Sequence, residues 1–132
     1  MAEYIMKDLV KKVHREDEFE IASAATSTEE LGNPVYPPAR RKLAENGIRC
    51  DGHAARQIVR SDYDYYDFII GMDSYNLRNM NRFFGNDPEG KISLLLDFTS
   101  RPGDVADPWY TGNFEATWRD CLEGCEALLK KL

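Results

Sequence analysis

Two stretches combine residue types that could act on a phosphate ester. In "CDGHAAR", Cys50 and Arg56 stand six positions apart, a spacing at which a thiolate could attack phosphorus while a guanidinium binds two of its oxygens. In "DVADPWYTGNF", Asp107 is followed by Pro108, which restricts the preceding backbone to extended values, so the carboxyl group could be held ready to give a proton to a leaving oxygen. Trp109 and Tyr110 next to it could wall a flat substrate group. Each stretch also has a plain structural account. Asp-Pro breaks loops and aromatic residues cover core edges. Two further thiols, Cys121 and Cys125, lie four apart on an apolar helical stripe and read as buried core residues.

The elements around these residues follow from periodicity. Ala2, Ile5, Met6, Leu9 and Val13 form the stripe of a core-facing helix over Ala2–Val13. "FEIASAA", Phe19–Ala25, alternates and then turns small, as a strand entering a loop does. Ala39–Asn46 reads as a helix stopped by Gly47. "DFIIGM", Asp67–Met72, suits a buried strand, with Asp73 or Ser74 capping a helix to about Phe84. "GKISLLLDF", Gly90–Phe98, reads as a second buried strand, and a last helix runs from about Asn113. "SDYDYYD", Ser61–Asp67, reads as a solvated rim. The alternation implies an α/β fold with a parallel sheet in one domain over residues 1–132. The first helix has neither a capping residue nor a feeding strand before it, so a strand is expected upstream.

These elements weaken "CDGHAAR". A loop that cradles phosphate needs a strand aimed at it and backbone N–H groups curled into a nest. Only Ile48 and Arg49 separate Cys50 from the helix-ending glycine, and Arg56 is followed by Gln57 rather than by a hydroxyl residue that would help lower the thiol pKa.

Composition narrows the function further. The formal charge of -6 works against general affinity for nucleic acid or anionic lipid. No apolar run approaches the roughly 20 residues of a membrane helix, and the first residues lack the order of a signal peptide. A cytoplasmic chain with no membrane partner is expected. Three cysteines, an odd number with no CxxC pair, imply reduced thiols and neither a disulfide nor a metal site.

"SAATS" at Ser23–Ser27, "LGNP" at Leu31–Pro34, "NGI" at Asn46–Ile48, "HAARQ" at His53–Gln57, "MDSYNLRNMNR" at Met72–Arg82 and "DPWYTGNFEATW" at Asp107–Trp118 occur together in order and spacing. Together they resemble the low-molecular-weight protein tyrosine phosphatases, over the whole chain. The resemblance implies a flavodoxin-like, three-layer fold with a four-stranded parallel sheet of order 2-1-3-4. It also implies a Cys-x5-Arg-Ser phosphate loop after the first strand, then "P-[MIL]-A-E" and a helix, which "MAEYIMKDLVKK" looks like. The family's nucleophilic cysteine, its arginine and its first strand, about 15 residues in all, have no match here. The chain is therefore expected to be truncated at its N-terminus relative to the family and inactive as given.

By the same resemblance Asp107 is the general acid and base, Trp109 and Tyr110 flank the substrate ring, and Ser23 and His53 brace the phosphate loop. Neither cofactor nor metal is implied. The substrate would be a phosphotyrosine-containing protein or a small aryl phosphate. Where many relatives place an aromatic residue after "ATS", this chain has Thr28, Glu29 and Glu30, which would disfavour acidic peptides. Two alternatives stand beside the tyrosine phosphatase. One is a non-catalytic binding or assembly protein on the same scaffold, with a homodimer filling the gap in the sheet, and the other is a phosphoarginine phosphatase.

Overall fold

The computed structural model describes residues 1–26, 37–50, 56–106 and 113–132. Five α-helices and two strands appear among them, alternating from α3 onward: α1 Ala2–Lys12, α2 Pro37–Glu45, α3 Ser61–Tyr65, β1 Ile69–Gly71, α4 Ser74–Phe83, β2 Ile92–Leu94 and α5 Phe114–Lys131. β1 and β2 are parallel, with Ile69 opposite Ile92, Ile70 opposite Ser93 and Gly71 opposite Leu94.

Helices cover both faces of this sheet, as buried parallel strands require. On one face α1, α2 and α5 enclose Ile5, Met6, Val10, Leu43, Leu95, Leu96, Cys121, Cys125 and Leu128. On the other, Tyr63 of α3 and Met80 of α4, with Phe84 just beyond it, pack on Ile69. The strand period divides the sheet side chains between the two faces, Ile70 joining the first cluster and Ile69 and Ile92 the second. α4 comes so close to β1 that a Cβ on Gly71 would lie 2.8 Å from Met80 Cε and 3.1 Å from Asn76 Cβ.

Local chemistry sets three of the ends. Gly47 takes φ +75° after α2, and Ile48 N–H returns to the Leu43 carbonyl at 3.0 Å. The Asp73 carboxylate accepts from Asn76 N–H at 2.8 Å and caps α4, and the Asn113 side chain caps α5 through Ala116 N–H at 3.1 Å.

Three expectations are corrected. The run Gly90–Phe98 is not one strand: after Leu94 it becomes a 3-10 turn, Leu95–Phe98. The Asp97 carboxylate accepts from Leu94 N–H at 3.0 Å, bending the chain, and Leu95 and Leu96 then point into the core beneath α5. Phe19–Ala25 makes no ladder among the described residues. Among these it has one parallel bridge, Ala25 to Gln57; Phe19 and Ile21 pack on the core without strand pairing, and the small residues Ala22–Ala24 add little side chain to hold a ladder. Ser61–Asp67 is not a solvated rim throughout, since Ser61–Tyr65 is the helix α3 and Tyr63 is buried.

Candidate active site

The described part of the site lies at the carboxyl end of β1, where ligand crevices of open parallel sheets form. Met72 follows the strand, its N–H donating to Asn76 Oδ1 at 3.1 Å. Its carbonyl accepts from Val105 N–H at 2.8 Å, which lays residues 104–106 against the strand end. Asp104 Oδ1 accepts from Ser74 N–H at 3.0 Å and from the Ser74 hydroxyl at 2.9 Å, tying the same segment to the start of α4.

From the other side α5 holds Ala106. The Thr117 hydroxyl donates to the Ala106 carbonyl at 2.7 Å, and Asp120 Oδ2 accepts from Ala106 N–H at 3.0 Å. Arg101 Nη2 lies 2.6 Å from Asp120 Oδ1 and 2.5 Å from Glu123 Oε2. Glu123 and then Asp120 stabilise the charged guanidinium and raise its pKa above the ordinary arginine value. The chain is thus pinned up to the residue before Asp107. Asp107, Trp109 and Tyr110 themselves lie outside the described residues, as do His53, Thr28, Glu29 and Glu30.

Ser23 is described. Its hydroxyl donates to Glu3 Oε1 in the first turn of α1, and Glu3 Oε2 takes Lys7 Nζ at 2.6 Å. Glu3 keeps only 8% of its side-chain surface exposed, and this acid, which falls on the last position of the "P-[MIL]-A-E" pattern, links α1 to the segment ahead of "ATS". The bridge at Ala25 and Gln57, with Ala25 N–H to the Arg56 carbonyl at 2.8 Å and Ile58 N–H to the Ala25 carbonyl at 2.9 Å, brings the described ends of "SAATS" and "HAARQ" side by side.

The "CDGHAAR" pair has other occupations. Cys50 is 6% exposed and belongs to the core cluster on the α1, α2 and α5 face. Arg56 makes two hydrogen bonds to Asp62, Nη1 to Oδ2 at 3.1 Å and Nη2 to Oδ1 at 3.3 Å, and Asp62 foremost raises its pKa. Burial works to raise the pKa of Asp62, but Arg56 and the Val59 N–H hold it below the usual carboxylate value. Cys121 and Cys125 are free, buried thiols, pushed up by burial to about 11 and about 12, values that keep them protonated and unreactive at neutral pH.

The reading of the sequence assigned Glu3 no role beyond its place in the "P-[MIL]-A-E" pattern, and it missed Thr117, Asp120 and Arg101. Thr117 carried a signal, being a polar residue four positions before Cys121 on the core-facing stripe of α5. Among the described residues no cluster of His, Cys, Asp and Glu could hold a metal ion, and no helix is long and apolar enough to cross a membrane.

An α/β body with a loop anchored at the carboxyl end of a parallel strand is an arrangement that ligand-binding proteins of open parallel sheets use, and similarity narrows it. The family model for low molecular weight phosphotyrosine protein phosphatase matches residues 1–132. The low molecular weight protein-tyrosine-phosphatase YfkJ of Bacillus subtilis is 37% identical over 134 residues, which is 100% of this chain and 86% of that protein. Its crystal structure superposes with a TM-score of 0.94, covering 98% of this chain and 83% of that one. The low molecular weight phosphotyrosine protein phosphatase of Rattus norvegicus is 36% identical, over 99% of this chain and 85% of that one. A drosophila arginine phosphatase, DARP, is 27% identical with a TM-score of 0.89 and covers 98% of this chain and 87% of that one. The chain belongs to the low-molecular-weight phosphotyrosine protein phosphatase family.

Proposed function

We propose that this chain forms the body of a protein tyrosine phosphatase that hydrolyses phosphomonoesters through a phosphocysteine. The thiolate of a Cys-x5-Arg-Ser loop attacks phosphorus, and the bond from phosphorus to the tyrosyl oxygen breaks as Asp107 gives that oxygen a proton. Asp107 then takes a proton from water, whose oxygen attacks phosphorus and releases the cysteine. Trp109 and Tyr110 flank the ring, and Ser23 and His53 brace the loop. The observation that best supports this is the docking of Val105 and Ala106 at the carboxyl end of β1, which starts the loop of the candidate acid where a parallel sheet receives its ligand.

The one Cys-x5-Arg in these 132 residues is Cys50 to Arg56, whose thiol lies in the core and whose guanidinium is engaged by Asp62. A chain confined to these residues is therefore proposed to lack hydrolytic activity. The test measures phosphate release from an aryl phosphate by the 132-residue chain and by the same chain preceded by the N-terminal strand and Cys-x5-Arg-Ser loop of the Bacillus subtilis relative. Expected are no turnover from the first and turnover from the second that falls about 10²–10⁴-fold in Asp107→Asn. Turnover by the unextended chain that Cys50→Ser abolishes would instead make "CDGHAAR" the catalytic loop.

Similarity to the drosophila arginine phosphatase supports a second reading, in which the phosphoryl group comes from a guanidinium nitrogen. Comparing kcat/KM for phosphotyrosine and phosphoarginine in the extended chain separates the two.

A further inference from the structure

Ala106 is held in an unusual way for a loop residue. Its N–H and its C=O are both bound by side chains of one helix, Asp120 and Thr117 of α5, and neither makes a backbone–backbone bond among the described residues. Thr117, at 7% exposure, is the sole buried residue of polar type among those described. A valine of the same shape would fill its place in the core, so its hydroxyl is explained by the carbonyl it serves.

Behind Asp120 stands Arg101. It is itself 54% exposed, so its ion pairs add little stability. Its effect is geometric: by binding Oδ1 while also held by Glu123, it leaves Oδ2 aimed at Ala106 N–H. One residue earlier, Val105 is buried and bound to Met72. The chain is therefore fixed through the peptide unit from which Asp107 departs.

We infer that Thr117 and Asp120, with Arg101 orienting Asp120, are positioning residues for the acid. They set the point and direction from which the acid loop leaves, and so whether the Asp107 carboxyl comes within hydrogen-bond reach of the leaving oxygen. This rests on Asp107 being the general acid. Displacing a catalytic group by about 1 Å is enough to cost on the order of 10²-fold in rate, so a tether one residue away controls the chemistry without touching substrate.

The first arm of the test uses the 132-residue chain and amide hydrogen exchange. Thr117→Val and Asp120→Asn should speed exchange at Ala106 about tenfold or more, while amides in the buried half of α5, such as Cys125, stay within about twofold. Thr117→Ser should restore the slow rate. Unchanged exchange at Ala106 in both variants would overturn the tether.

The second arm uses the extended chain and a series of aryl phosphates of rising leaving-group pKa. A displaced acid slows esters of poor leaving groups most, so Thr117→Val and Asp120→Asn should steepen the dependence of kcat on leaving group with KM nearly constant, and Thr117→Ser should not. A purely structural contact would lower all rates together, and that result would also overturn the assignment. Asp107→Asn is the control. If it leaves the dependence unchanged, the assignment of Asp107 as acid fails; if it steepens the dependence while the tether variants do not, the positioning role alone fails.

Discussion

The Tyr63 hydroxyl donates to Asp87 Oδ1 at 2.6 Å, joining α3 to the turn ahead of β2 across 24 residues of chain. The same phenolic oxygen accepts from Glu89 N–H at 2.7 Å, and Asp87 accepts from the N–H groups of Lys91 at 2.7 Å and Ile92 at 3.1 Å. Asn86 and Asp87 take positive φ, 67° and 58°, a region that Asn and Asp tolerate better than other non-glycine residues, and these hydrogen bonds hold the turn there.

Desolvation works to raise the pKa of Asp87, but the Tyr63 hydroxyl and the backbone amides of Ile92, Lys91 and Gly90 outweigh it and hold the carboxyl below its ordinary value. A depressed folded-state pKa contributes stability that is present above the unfolded value of about 3.9 and is lost as pH falls through the folded value. Urea midpoints measured from pH 6 down to pH 2 should therefore fall, and in Asp87→Asn the part of the fall below about pH 4 should shrink. Tyr63→Phe should lower the midpoint at pH 7, because it strips a partner from both Asp87 and Glu89 N–H.

Gly124 faces Leu95 where α5 crosses the 3-10 turn, and a Cβ added there would overlap the Leu95 side chain. Leu95 is 2% exposed and has no room to retreat. Gly124→Ala should destabilise by about 1–3 kcal/mol in spite of alanine's better helix propensity. The double variant with Leu95→Ala should destabilise by less than the two single costs added together, as read from denaturant unfolding.

The raised pKa values of Cys121 and Cys125 predict an alkaline weakness. Unfolded thiols ionise near 8.5, while the folded ones are held protonated to about 11 and about 12, so stability is full below about pH 8.5 and declines as pH rises toward those values. Cys125→Ala should flatten this decline. At pH 8 a thiol reagent should label neither cysteine in the native chain and both in denaturant; rapid native labelling at either would contradict the burial.

Asp73 caps α4 one residue after Met72, whose carbonyl holds Val105. Asp73→Ala should cost about 0.5–2 kcal/mol, and Asp73→Asn, which keeps a capping oxygen, much less. A thermal melt of both variants distinguishes loss of the cap from loss of the charge.

What could be read in the sequence was what local chemistry writes there. The starts of α4 and α5 were visible in Asp73 and Asn113, and the end of α2 in Gly47, because a cap is decided within a few residues. The end of β2 was not, because the apolar run continues through Leu95 and Leu96 and only Asp97, turning back on Leu94, stops it. Tyr63 looked like a wet residue among acids since the residues that bury it, Ile69, Met80 and Phe84, and the partners of its hydroxyl, Asp87 and Glu89, come later in the chain. Of the candidate site, Asp107, Trp109, Tyr110 and His53 are expected from motifs and lie outside the described residues, while Ser23 is placed against Glu3. The anchors of Ala106 escaped notice because a threonine on a helical stripe names no partner; the fold supplies it.

α1 and α5 are each other's chief packing partners, joined as well by the Cys125 thiol at 3.6 Å from the Ala2 carbonyl and by Arg15 Nη2 at 3.2 Å from the Leu132 carbonyl. Residues 2–12 therefore complete their core contacts only once residues 114–131 exist. During synthesis on the ribosome the apolar stripe of α1 thus lacks its chief partner until nearly all of this sequence has emerged, a long-range dependence that slows folding and leaves apolar surface open to association meanwhile.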